Sequence, residues 1–137
     1  MLDLQQQKEN NEVIAHRFHM DIFQKGDLSV ADEILDTNFV WRNPSIPSEL
    51  THGPQSTKKI ATIVIDSIPD LKIIHDDTIS ENDKVMIRWT ITGTAKKELF
   101  GIPASDKPIT VAGFDLFRLA NGKIVEMWQQ FSVGNWP

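Results

Sequence analysis

Apolar positions in the first part of the chain repeat at helical spacing. Ile14, Phe18 and Ile22 fall four residues apart, with Glu12, Arg17 and Asp21 between them, and the pattern stops at Gly26. An amphipathic helix closed by a glycine is predicted there. Ser29 followed by Asp32 has the form of an N-cap with an acidic first turn, so a second short helix is expected to about Leu35. Residues 39–42 read as a short strand ended by the turn pair Asn43 and Pro44. Pro54 after Gly53 suits the first position of a third helix, with Ile60, Ile63, Val64 and Ile68 as its buried stripe and Pro69 and Asp70 as its stop.

Beyond Asp70 the pattern changes. Residues 71–79, 84–94, 109–120 and 123–133 are rich in Val, Ile, Thr, Phe and Trp and are separated by turn residues, as strands are. Helices first and strands later indicate an α+β domain over residues 1–137, its sheet mostly antiparallel rather than doubly wound. Three N-terminal helices would then fold over a curved sheet and enclose an apolar pocket.

Asn121 and Gly122 between apolar runs call for a two-residue hairpin, because both central residues of a type I′ turn need positive φ. Counting outward from Ala120 opposite Lys123 places Phe117 opposite Glu126, Asp115 opposite Trp128 and Gly113 opposite Gln130, all on one face. Phe114, Leu116, Arg118, Val125, Met127 and Phe131 fall on the other, unless a bulge shifts the count.

The chain has 137 residues, a net charge of −5 and no cysteine. Disulfides, thiolate metal sites and cysteine nucleophiles are thereby excluded, and the acidic balance gives no footprint for nucleic acid. The opening residues lack the charge and apolar core of a signal peptide, and no apolar run is long enough to span a bilayer, so a cytoplasmic, membrane-free protein is expected.

Asp115 stands out as a carboxylate in a strand apolar on both faces. Burying it requires a partner or a raised pKa. It is either an acid–base group or one half of a structural ion pair with a basic residue such as Arg88. Arg88 itself could hold a substrate carbonyl or reach solvent from an edge. His16 and His19, three residues apart, fit a solvated helix face better than a metal site, which needs more converging ligands. His52 and His75 carry no assigned role. No phosphate-binding, dinucleotide or serine-hydrolase motif is present.

The segment from Lys84 through Thr94, followed by Phe100-Gly101-Ile102-Pro103-Ala104, and the run from Val111 to Trp128 resemble the SnoaL-like polyketide cyclase family of the nuclear-transport-factor-2-like superfamily. Gln24-Lys25-Gly26-Asp27 and residues 39–44 also follow its pattern, so the resemblance covers most of the chain. It implies a cystatin-like α+β cone around a deep apolar pocket, a homodimer formed through the open sheet face, and no metal or cofactor. It also implies that Asp115 is the general acid–base of an aldol ring closure. The sequence departs from the family at Arg42-Asn43-Pro44 and at Gln129-Gln130. A related epoxide-hydrolase arrangement, Arg-x-Asp on one strand, is missing, because Arg88 is followed by Trp89 and Thr90. The expected activity is acid–base chemistry on a small apolar carbonyl compound, with Asp115 catalytic and Trp41, Asn43, Arg88, Phe117, Trp128 and Gln130 around the substrate. The alternative is a non-catalytic small-molecule-binding module with the same pocket.

Overall fold

In the computed structural model, which describes residues 3–134, Asp3 caps the first helix by accepting a hydrogen bond from the Gln6 amide. Helix α1, Leu4–Arg17, continues without a break into a π-helix, Phe18–Gln24. Its wider turns bring Phe18 and His19 into line with Ile22 and Phe23, and all four are buried. Helix α2, Val30–Ile34, follows Ser29, whose hydroxyl donates to Asp27 rather than capping the helix. Helix α3, Gly53–Ser67, carries its proline in the first turn as expected. It buries Thr57, Ile60 and Ala61, and Val64 packs against the core. Ile63, assigned to that stripe from the sequence, is 38% exposed: although three residues after Ile60, it lies about 120° around the helix from the direction shared by Thr57, Ala61 and Val64.

Five strands form one open mixed sheet: β1 (Leu35–Arg42), β2 (Lys72–Glu81), β3 (Lys84–Gly93), β4 (Ile109–Ala120) and β5 (Lys123–Val133), in the order β1-β5-β4-β3-β2. Strand β1 runs parallel to β5 and the other neighbours are antiparallel. The helix-covered face holds the core, including Phe18, Phe39, Ile60, Ile87, Phe117 and Met127. Among the described residues no helix is long and apolar enough to cross a membrane.

Two bulges decide which side chains meet beneath the helices. The hairpin turn is as predicted, with Asn121 at φ 53° and Gly122 at φ 76°, and Ala120 pairs with Lys123. The register then slips at Val125, so that Leu119 pairs with Ile124 but Arg118 pairs with Glu126. Phe117 therefore faces Met127, Asp115 faces Gln129 and Gly113 faces Phe131. This corrects the face assigned from the sequence: Trp128 and Gln130 lie on the side opposite Asp115, while Met127 and Phe131 lie on its side. An unbroken register would push Glu126 into the core beside Phe117. The bulge instead puts fully buried Met127 there and leaves Glu126 to pair with Arg42 and Arg118. On β2 the pairing slips at Asp76: His75 pairs with Trp89, Asp77 with Arg88 and Thr78 with Ile87. His75 and Thr78 thus both face the helices, and Asp76 and Asp77 turn outward.

Candidate functional site

Asp115 projects from the middle of β4 and is wholly buried. Its Oδ2 lies 2.6 Å from His19 Nε2, and its Oδ1 has no hydrogen-bond partner among the described residues. The π-helix sets His19 above the sheet, where its other ring nitrogen, Nδ1, lies 2.7 Å from His75 Nε2. His75 Nδ1 is 3.1 Å from His16 Nδ1, and His16 Nε2 is 2.9 Å from the Thr78 hydroxyl. A continuous run of hydrogen bonds therefore leads from Asp115 through three imidazoles to β2.

Burial first, and then the electrostatic influence of the neighbouring His19 and His16 rings, pulls the His75 pKa down to about 3. His75 is therefore a neutral imidazole near neutral pH. Burial also lowers the pKa of His16, helped by the neighbouring His19 ring and opposed by Glu12. The three rings do not converge on a point, since His75 meets His16 through one nitrogen and His19 through the other. Among the described residues no set of His, Cys, Asp or Glu side chains is placed to hold a metal ion.

His19 also lines a partly open cavity of about 90 Å³ between helices and sheet. Most of its wall is apolar, including Phe23, Trp41, Ile60, Trp89 and Phe131. Gln129, directly across from Asp115 on β5, adds a polar group. The Gln129 Oε1 accepts from Asn43 Nδ2 at 2.7 Å and from Trp41 Nε1 at 3.1 Å. Its amide orientation is thereby fixed. Trp89 Nε1 is buried with no hydrogen-bond partner among the described residues. The indole lies over Gly113, where an added Cβ would come within 2.5 Å of Trp89 Cζ2. Beyond β3 a small hairpin borders the cavity: Leu99 and Ile102 exchange two 2.8 Å backbone hydrogen bonds around Phe100 (φ 45°) and Gly101 (φ 90°), and Leu99, Phe100 and Ile102 line the wall.

Of the residues singled out from the sequence, Trp41 lines the cavity, Asp115 reaches its wall through His19 and Asn43 through Gln129, while Trp41, Asn43, Trp128 and Gln130 together line a separate depression on the other side of the sheet. Arg88 lies on the outer face, bonded to Asp77 at 2.7 Å, and is not the partner of Asp115. Trp128, 38% exposed, sits on that outer face with the Arg42 guanidinium 5.9 Å from its ring centre, and Gln130 is exposed beside it. Phe117 is fully buried and packs under Phe18 and His19 rather than lining the cavity. His16, His19, His75, Trp89 and Gln129 have no site role from the sequence. His19 lies four residues after Ala15 and three before Ile22, on the buried stripe. His75 lies two residues after buried Ile73.

Helices packed over one face of a curved mixed sheet, around an apolar cavity, define an α+β protein of the nuclear-transport-factor-2-like kind. Within that class the chain belongs to the SnoaL-like polyketide cyclase family, which it matches over residues 13–133. Among solved structures it is similar to TsrD from Streptomyces laurentii, with 23% identity, 96% of this chain and 92% of that one covered, and a TM-score of 0.79. A SnoaL-like polyketide cyclase from Agrobacterium tumefaciens gives 14% identity, coverage of 89% and 91%, and a TM-score of 0.76. At these identities the likeness is one of fold. No curated protein sequence matches the chain.

Proposed function

We propose that the chain is an enzyme of cyclase or isomerase type, using Asp115 to take a proton from the carbon α to a carbonyl of a small apolar compound. One observation carries this reading: a fully buried carboxylate is tied through Oδ2 to an imidazole in the cavity wall, while its Oδ1 is left without a partner among the described residues. Both His19 nitrogens are engaged, so Oδ1 is the open acceptor of the pair. Trp89 Nε1 on β3 and the Gln129 amide on β5 flank Asp115 on neighbouring strands, and either N–H can donate to the enolate oxygen as charge develops there. The apolar wall strengthens those interactions by excluding water. A cavity of about 90 Å³ is small beside the roughly 300–1,000 Å³ usual for ligand sites, so a larger substrate enters with the Leu99–Ile102 hairpin displaced.

The test is Asp115→Asn, which keeps shape and can still accept from His19. A catalytic role predicts retained fold and ligand binding, with turnover of a carbonyl substrate lower by about 10²-fold or more. Turnover per folded molecule left intact would remove Asp115 from the chemistry and favour the pocket as a binding module.

A further inference from the structure

We propose that His19, His75 and His16 form a proton relay connecting buried Asp115 with solvent at the outer side of α1. The inference rests on Asp115 being an acid–base group and deepens that reading. Asp115 is wholly buried, His19 is its one side-chain hydrogen-bond partner among the described residues, and the cavity beside it is almost entirely apolar. A proton leaving Asp115 therefore meets almost no polar group along that wall. The histidine run supplies a route, with every link between 2.6 and 3.1 Å. Its far end is open: half-buried His16 lines a surface depression together with Glu9, Glu12, Val13, Arg17 and Met20.

The transfer balances atom by atom. With the donors pointing inward, Thr78 O–H donates to His16 Nε2, His16 Nδ1–H to His75 Nδ1, His75 Nε2–H to His19 Nδ1, and His19 Nε2–H to Asp115. Thr78 passes its hydroxyl proton to His16 Nε2 and takes one from water, and His16 releases its Nδ1 proton to His75 Nδ1. The His75 Nε2 proton then passes to His19 Nδ1. His16 and His75 end as the opposite tautomers with their charge unchanged, the Thr78 hydroxyl turns to accept, and the His19–Asp115 pair holds one more proton. The reverse sequence carries a proton out. Neutral rings with one N–H each are what such exchange requires, and burial favours that form for both His16 and His75. The charged groups nearest the run are Glu12 on α1, which accepts from Ser80, Arg17, which is held by Asp21 and Glu33, and outward-turned Asp76, next to His75 on β2.

The experiment uses ligand-free protein with ¹⁵N-labelled histidine and reads by NMR the rate at which the ring proton between His19 and Asp115 exchanges with water. In His16→Ala the exchange is expected to slow by about 10²-fold, the lower end of what a positioned acid–base group contributes, and to recover when millimolar free imidazole occupies the gap in the surface depression. His16→Phe, which keeps the ring volume, should be slow without recovery, and it serves if the alanine variant fails to fold. An unchanged rate in either variant overturns the relay, as does slowing in His16→Ala that imidazole does not reverse, because packing alone would then account for it. The two proposals separate cleanly. Lost turnover in Asp115→Asn with unchanged exchange in His16→Ala leaves the enzyme without the relay, and the opposite pair of results leaves a proton path without the enzyme.

Discussion

Replacing His19 with Phe should be among the most destabilising single changes in the chain, and a double-mutant cycle with Asp115 shows why. The imidazole and the carboxylate meet at 2.6 Å with side-chain exposures of 8% and 0%. In His19→Phe the new ring has aromatic company, since Phe18, Phe117 and Trp89 already surround the position. Asp115, however, would keep no bond on either oxygen. Breaking a buried pair from one side costs about 3–5 kcal/mol, whereas replacing both members by apolar groups is often close to neutral. Asp115→Leu alone leaves His19 Nε2 buried without an acceptor and should cost about 1–3 kcal/mol. The double variant should be more stable than His19→Phe, giving a coupling of several kcal/mol. Urea unfolding at pH 7 measures it, with the slope checked for two-state behaviour. For a chain of this size a loss of 3–5 kcal/mol lowers the melting temperature by about 10 °C or more. A cost below about 1 kcal/mol for His19→Phe, the range of exposed pairs, or strict additivity in the double variant, would refute the buried pair.

Two further outcomes follow from particular contacts. Gly113→Ala sets a Cβ 2.6 Å from the Gln130 carbonyl oxygen, which cannot move without the strand. A loss of about 1–3 kcal/mol is expected, with a shifted tryptophan emission as the Trp89 indole is displaced, and an unchanged melting temperature would show that the gap is not filled as described. For His75, a pKa of about 3 in the folded chain against 6.5 unfolded means that the unfolded state binds the proton more readily between those values. This contribution to stability is complete above about pH 6.5 and is lost as the pH falls toward 3, under the influence of His16, His19 and Asp76 around the ring. His75→Gln should therefore flatten the fall in urea midpoint across that window relative to the parent chain, and parallel curves for the two proteins would contradict it.

Element types were legible from the sequence because they rest on local rules. Pro54 opened a helix, Asn121 and Gly122 closed a hairpin, and the change of period after Asp70 marked the strands. Asp115 was legible for a related reason, as a charge in an apolar strand. What it faces was not. The slip at Val125 has no local signature: it follows from whether Glu126 or Met127 is better buried beside Phe117, a comparison that requires the packed sheet. The amide on the Asp115 face is consequently that of Gln129 rather than Gln130. His19 and His75 have no site role from the sequence because a histidine on a helix and one in a strand, 56 residues apart, become neighbours through tertiary packing alone.

The π-helix at Phe18–Gln24 and the slips at Asp76 and Val125 share one property: each is a place where the chain holds more residues than a regular helix or ladder would need. They hold His19, His75 with Thr78, and Gln129 in their present orientations. Loss of one residue from either strand would reverse the facing of everything beyond it up to the next turn, without altering any side chain's chemistry. In a lineage built on this frame, the natural unit of change at the site is accordingly the insertion or deletion rather than the point substitution. A homologue lacking one of these extra residues, if aligned here without a gap, would place the wrong side chains opposite one another.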